Sequence, residues 1–179
     1  IKTGSIKNHE VVVRKKDGTQ AFLLFSSVLL DIRGQKQILS MTADVTERKL
    51  AEEALKESEA RIREIINNAP FGAHSYELDA GGRLIFTGGN PAADRILGID
   101  HHPLHGKTIE EAFPMLKKTA VPDAYRDVAL TGRRWEEDVV FYEDKNISGA
   151  FEVFAFQTAP GRMTAFFHDI TERKKAEEA

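Results

Sequence analysis

Asp44-Val45-Thr46-Glu47-Arg48-Lys49-Leu50-Ala51-Glu52-Glu53-Ala54 returns as Asp169-Ile170-Thr171-Glu172-Arg173-Lys174-Lys175-Ala176-Glu177-Glu178-Ala179, with nine of the eleven positions identical. Each copy follows a run rich in β-branched and aromatic residues and opens a run of strong helix formers, so each marks a junction where a strand hands over to a helix. Asp44 with Glu47, and Asp169 with Glu172, have the spacing of a capping box, in which the cap carboxylate and the third helical residue satisfy each other's free backbone N–H groups. Thr46 or Thr171 is the alternative cap.

Beyond the first copy, small or apolar residues recur at Ala51, Leu55, Ser58, Ile62, Ile65 and Ala69, in alternating steps of four and three. That is the seam of a two-stranded coiled coil. Glu52 with Lys56, Glu57 with Arg61 and Glu59 with Arg63 place an acid four residues before a base, the favourable order on a solvated helix. The spacing predicts a helix from Thr46 to Asn68 with Leu55, Ile62 and Ile65 as a dimer seam; the other reading is one amphipathic helix lying on its own domain.

Composition narrows the function classes. Hydrophobic residues make up 41% and charged residues 30% of 179, the balance of a globular protein. The net charge of −3, with bases interspersed among acids, gives no surface for nucleic acid or an anionic membrane. There is no cysteine, which excludes disulfides, thiolate zinc sites and a catalytic thiol. No apolar run reaches the roughly 20 residues of a membrane span, and the expected location is the cytoplasm.

Upstream of the first junction, Glu10 to Arg14, Ala21 to Leu30 and Ile38 to Asp44 read as three antiparallel strands, with turns at Lys15-Lys16-Asp17-Gly18 and Asp31-Ile32-Arg33-Gly34. A lone meander leaves a face uncovered. The expectation is therefore a chain that starts inside a domain. Downstream, Phe71 to Leu78 and Arg83 to Thr87 form a hairpin, and Asn90-Pro91-Ala92-Ala93 opens a helix that Gly98 stops. Short helices follow at Thr108 to Phe113 and Pro122 to Leu130, then strands at Trp135 to Glu143, Ala150 to Gln157 and Met163 to Asp169. Strands at both ends with helices between them give an α+β fold, a five-stranded antiparallel sheet with helices on one face. In the last strand both faces are apolar, which calls for a second cover, expected from the helix around Ile62, Ile65 and Ile66.

This order of elements, with Asn90-Pro91-Ala92-Ala93, Gly98, Gly106-Lys107, Thr131-Gly132 and the closing Asp169-Ile170-Thr171, resembles a PAS domain. Residues 1–44 resemble the last three strands of a second one, by Gly4, Glu10, Lys16-Asp17-Gly18, Asp31-Ile32-Arg33-Gly34 and Asp44-Val45-Thr46. The expected organisation is a strand fragment over 1–44, a linker helix over 45–68, a complete PAS domain over 69–170 and an outgoing helix from 171 to 179. The resemblance implies a sensor-and-relay module, usually dimeric, coupled through Asp44, Thr46, Asp169 and Thr171 to helices that reach an output domain outside this chain. That output is most often a histidine kinase in a two-component system, then a diguanylate cyclase.

Each candidate for chemistry in this sequence has plain packing as its alternative. The flavin–cysteinyl adduct of one PAS branch requires a thiol that the chain lacks. His101, His102 and His105 cluster before Gly106, yet haem-binding PAS proteins carry their ligand on the helix that is here Asp123 to Leu130, without histidine. Solvated loop histidines are the expectation, with no metal, haem or flavin; His74 and His168 read as structural, and Trp135 as core packing. His74, Tyr76, Phe86, Arg126, Phe141, Tyr142, Phe154, Phe156 and Phe166 are the candidate pocket residues, around a cavity for an unknown small molecule or simply filling the core. Glu136, Glu137 and Asp138 alternate faces along one strand and cannot share a substrate proton, so no catalysis is expected of this segment. A ligand-free dimerising spacer is the rival to a sensor.

Overall fold

The computed structural model describes residues 4–178, and the expectations for 1–3 and 179 lie outside the described residues. The chain divides into two compact units, Ile1–Ile62 and Arg63–Ala179.

The first unit contains β1 (Ser5–Arg14), β2 (Gln20–Ile32) and β3 (Gln35–Asp44), an antiparallel sheet in chain order. The strands run longer than their apolar patterns because the hairpin ladders extend to the turns, as far as Arg14 opposite Gln20 and Ile32 opposite Gln35. Arg33 and Gly34 both take positive φ, 55° and 82°, the backbone of a two-residue hairpin loop whose twist matches the strands. Of the described residues of this unit only Ala21 is buried, while Val12, Ile38, Leu39 and Met41 stand exposed on the sheet. Helix α1 (Thr46–Asn67) follows, and none of its residues is buried.

The second unit contains β4 (Gly72–Leu78), β5 (Leu84–Gly89), α2 (Pro91–Leu97), α3 (Ile109–Ala112), α4 (Val121–Thr131), β6 (Trp135–Glu143), β7 (Ser148–Ala159), β8 (Arg162–Asp169) and α5 (Thr171–Glu178), with 3-10 turns at His102–Leu104 and Pro114–Lys118. The sheet order is β5-β4-β8-β7-β6, all antiparallel. The predicted α+β architecture is therefore present, with β8 central where both its faces were read as apolar. Met163, Ala165 and Phe167 of β8 point into a core shared with Tyr76, Phe86, Val153 and Ala155 and closed by Ala93, Ile109, Tyr125 and Val128 of the helices. Asn90 caps α2 by accepting the Ala93 N–H at 2.9 Å, and Gly98 ends it at φ 66°, a left-handed position that costs glycine nothing.

The expected capping box at each strand-to-helix junction is corrected. Asp44 accepts the N–H of Thr46, two residues on, at 2.9 Å, and Asp169 accepts that of Thr171 at 2.8 Å. The carboxylate is committed to this tight turn, which leaves Glu47 and Glu172 outside it. A true capping box appears at Thr108 and Glu111 instead.

Candidate functional site

The two junctions share one hydrogen-bonded device. Val45 donates its N–H to the Phe22 carbonyl at 2.8 Å, and Ile170 donates to that of Ala150 at 2.9 Å. The next residue is the threonine, whose hydroxyl accepts the N–H of the same strand residue: Phe22 to Thr46 at 2.9 Å, Ala150 to Thr171 at 3.0 Å. Each hydroxyl then donates to its aspartate at 2.5 Å. The two hydrogen bonds from Thr46 hold the Asp44 carboxyl below its ordinary value. The first helical turn is thereby fastened to the penultimate strand of each sheet, with aspartate acting through threonine.

Between the sheet and the helices of the second unit lies a cavity of about 60 Å³, lined by His74, Tyr76, Tyr125, Tyr142, Phe113 and Phe167 among others. That is room for several waters or for one small molecule. Its walls are apolar except for one imidazole and three phenols. Tyr142 donates to Asp144 at 2.7 Å. Tyr76 and Tyr125 are buried, their hydroxyls have no hydrogen-bond partner among the described residues, and no polar atom is sealed away unsatisfied, so both hydroxyls retain access to open space. Burial raises the pKa of both phenols, so they stay protonated and able to donate.

Behind this wall a buried histidine pair runs to the surface. His74 on β4 stacks on Phe113 with ring centroids 5.0 Å apart, and its Nε2 lies 2.7 Å from Nε2 of His101. Nδ1 of His101 is in turn bonded to the Asp94 carboxylate on α2. Burial, and then the neighbouring His101, push the His74 pKa well below the ordinary value of 6.5, so His74 is neutral. The expectation of a solvated histidine loop is corrected for His101, which is only 4% exposed because the 3-10 turn folds it beneath α2 onto Phe86. His102 and His105 remain together in the loop, with ring centroids 6.4 Å apart, and the described residues contain no cluster of metal-ligating groups.

Of the candidate pocket residues, His74, Tyr76 and Tyr142 line the cavity, and Phe86 is buried beside His74 at a centroid distance of 5.3 Å. The others are corrected. Phe141 is 67% exposed, because β6 turns Val140 and Tyr142 inward and residue 141 outward. The same alternation puts Phe154, Phe156 and Phe166 on the outer face of the sheet, where Phe156 meets Phe166 at 5.0 Å and Phe71 covers Phe166 at 4.5 Å. Arg126 is held in ion pairs with Glu110 and Asp123 rather than at the cavity. Trp135 packs edge-on against Tyr125 at 5.8 Å, and His168 is exposed. Ile66 borders the outer-face phenylalanines, whereas Ile62, Ile65 and Leu55 are about three-fifths exposed.

Three features of the site went unread in the sequence: Tyr125, Asp94 and the reach of Asn90. Besides capping α2, Asn90 accepts the Ala73 N–H at 2.9 Å and donates to the carbonyls of Ile66 at 2.9 Å and Phe71 at 3.0 Å. Tyr125 carried a signal, since it shares a helical face with Val121, Val128 and Ala129, all buried. Asp94 and His101, on either side of a helix end and a turn, carried none.

No family model and no curated protein matches the chain. Solved structures do. A domain of the sensory box sensor histidine kinase/response regulator from Geobacter sulfurreducens is 14% identical with a TM-score of 0.51, over 64% of this chain and 96% of that one. The Rhodobacter sphaeroides LOV protein is also 14% identical, with a TM-score of 0.53, over 69% of this chain and 72% of that one. The PAS domain of an HTR-like protein from Haloarcula marismortui is 19% identical with a TM-score of 0.48, over 68% of this chain and 99% of that one. At such identities the likeness is one of fold.

Proposed function

We propose that this chain, whose second unit has the PAS fold, is a sensory and signal-relay module that reads a small molecule in the cavity beneath α4 and passes the event to its helices. The observation that carries this is the cavity of about 60 Å³ between sheet and helices, whose walls are apolar except for His74, Tyr76, Tyr125 and Tyr142. A ligand biases the module only by its difference in affinity for two arrangements of sheet and helix.

The first unit is read as the last three strands of a preceding PAS domain. Its strand order and its Asp-Val-Thr junction repeat β6-β7-β8 and Asp-Ile-Thr bond for bond. In this reading α1 joins two such domains and α5 leads to an output domain, a histidine kinase ahead of a diguanylate cyclase. A cytoplasmic location belongs to the same proposal; as a separate fact, among the described residues no helix is long and apolar enough to cross a membrane. The proposed role of these residues is binding and relay, without catalysis. Two chains pair along the exposed seam of Leu55, Ile62 and Ile65.

Native mass spectrometry beside an absorbance scan tests the reading in one preparation. A reproducible extra mass establishes an occupied site, and a dimer that Ile62→Asp converts to monomer establishes the seam. A bare mass, with no change in hydrogen exchange of β4 or α4 on adding a small-molecule panel, moves the function to a ligand-free dimerising spacer. A dimer indifferent to Ile62→Asp removes the seam.

A further inference from the structure

An open groove of about 500 Å³ runs across the outer face of the second unit's sheet, from β6 to Phe71, and takes side chains laid along a surface rather than an enclosed molecule. Its floor is aromatic. Phe154 stands opposite Phe166 in the β7–β8 ladder, and Phe71 lies against Phe166 at 4.5 Å. All three rings are only half-buried, so they keep apolar surface to offer. Glu136 of β6 pairs with Phe154, and Glu152 lies two residues before Phe154 on the same face of β7. Two carboxylates therefore flank one ring, one across the ladder and one along the strand. The sequence reading had Glu136, Glu137 and Asp138 alternate between faces. One extra residue breaks the β6 ladder between Glu137 and Val140, and all three border the groove. With Glu152 they make four exposed carboxylates, and among the described residues none of the four is in an ion pair. Neither lysine nor arginine borders the groove.

We propose that this groove docks an amphipathic helix of another protein, its apolar stripe on Phe71, Phe154 and Phe166 and its arginines or lysines along the one flank that meets the acidic rim. The acids belong to β6 and β7, while the side formed by Phe71 and β8 has none, so the bases fall to one side of the stripe. The spacings agree. Neighbouring strands lie about 4.8 Å apart and alternate residues of a strand about 6.8 Å. Residues three or four apart on a helix are about 5–6 Å apart. A stripe on the rings thus brings flanking bases over Glu136 and Glu152. The carboxylates are spread along a rim rather than gathered at a point: among the described residues no three metal-ligating groups converge on one ion. Separate cations suit such a row better than a single divalent metal, which needs its oxygen ligands around it. Nucleic acid and anionic lipid are repelled by the same rim, and two copies of the groove face to face would set acid against acid. The groove lies on the face of the sheet opposite the cavity, so docking there does not depend on a ligand being bound within.

Calorimetry and amide chemical-shift mapping of the full chain with synthetic helical peptides of about four turns test this. One peptide carries a leucine stripe flanked on one side by arginine; the second has glutamate for each arginine, and the third has serine for each leucine. The first is expected to bind about tenfold or more tightly than the other two, and to move the signals of Glu136, Glu152, Phe154 and Phe166. Glu136→Gln combined with Glu152→Gln is expected to weaken it about tenfold. Glu59→Gln combined with Glu143→Gln makes the same change of charge at exposed carboxylates outside the groove, and is expected to weaken it less than about twofold. Equal losses in the two double variants, equal binding of the serine peptide, or shifts confined to other residues overturn the proposal and leave attraction by net charge alone. No binding of the arginine peptide overturns it as well. A change of oligomeric state in Glu136→Arg combined with Glu152→Arg overturns it in favour of a second copy of this chain on the same face.

Discussion

The hydroxyl of Thr171 accepts the backbone N–H of Ala150 at 3.0 Å, across the step from the last strand of the sheet to the helix that leaves it. Thr46 does the same for Phe22 at 2.9 Å. Threonine suits the position because its hydroxyl donates once, to the aspartate, while accepting from the strand, and its β-branch limits the rotamers that could break the arrangement. The sequence recurrence is therefore the recurrence of one strand-to-helix clasp.

Thr171→Val keeps the branched shape and removes the hydroxyl, leaving the part-buried Ala150 N–H without its acceptor. The expected loss is about 1–3 kcal/mol in urea unfolding. Hydrogen exchange in α5 should rise more than exchange in β4, because the clasp fastens the helix and not the core. Uniform exchange across both elements would mean that the threonine serves the sheet as a whole.

His74 links stability to pH. Its folded pKa is depressed below 6.5 by burial, so between the two values the unfolded chain binds more protons. The contribution is complete above about 6.5 and is lost as pH falls toward the folded value. Melting temperature should therefore drop from about pH 7 to about pH 5, and His74→Gln, which still hydrogen-bonds but does not titrate, should flatten that slope. An unchanged slope in the variant would place the acid sensitivity elsewhere.

The repeated junctions, the hairpin turns and the order of strands and helices were legible because each rests on local chemistry: turn glycines, cap residues and alternation along a strand. The cavity was less so. Phe154, Phe156 and Phe166 were grouped with it by residue type, although their parity along β7 and β8 sends them to the other face, opposite Val153, Ala155 and Phe167. His101 looked solvated because burial of a loop residue is decided by the helix it folds under, and periodicity within the loop does not report that. Asn90 was readable as a cap, but its bonds to Ile66 and Phe71 depend on where chain segments meet after folding.

Gly72 lies opposite Phe167 across the β4–β8 ladder, and a Cβ there would fall 2.1 Å from the ring, inside its van der Waals surface. Gly72→Ala therefore displaces a cavity-lining phenylalanine. The expected cost is about 1–3 kcal/mol by chemical unfolding, with weaker binding of any cavity ligand. Full stability together with unchanged binding would show that the ring has room to turn aside.

Asn90→Ser separates the cap of α2 from its longer reach. Serine caps a helix about as well as asparagine, so the Ala93 N–H keeps its partner. The shorter side chain cannot span to the carbonyls of Ile66 and Phe71 that the Nδ2 group now satisfies. Those two bonds tie the end of α1 and the residue before β4 to the start of α2, within the second unit. Losing them is expected to cost about 1–3 kcal/mol and to raise hydrogen exchange at residues 67–73 while α2 stays protected. Equal loss of protection in α2 would mean that capping alone accounts for Asn90.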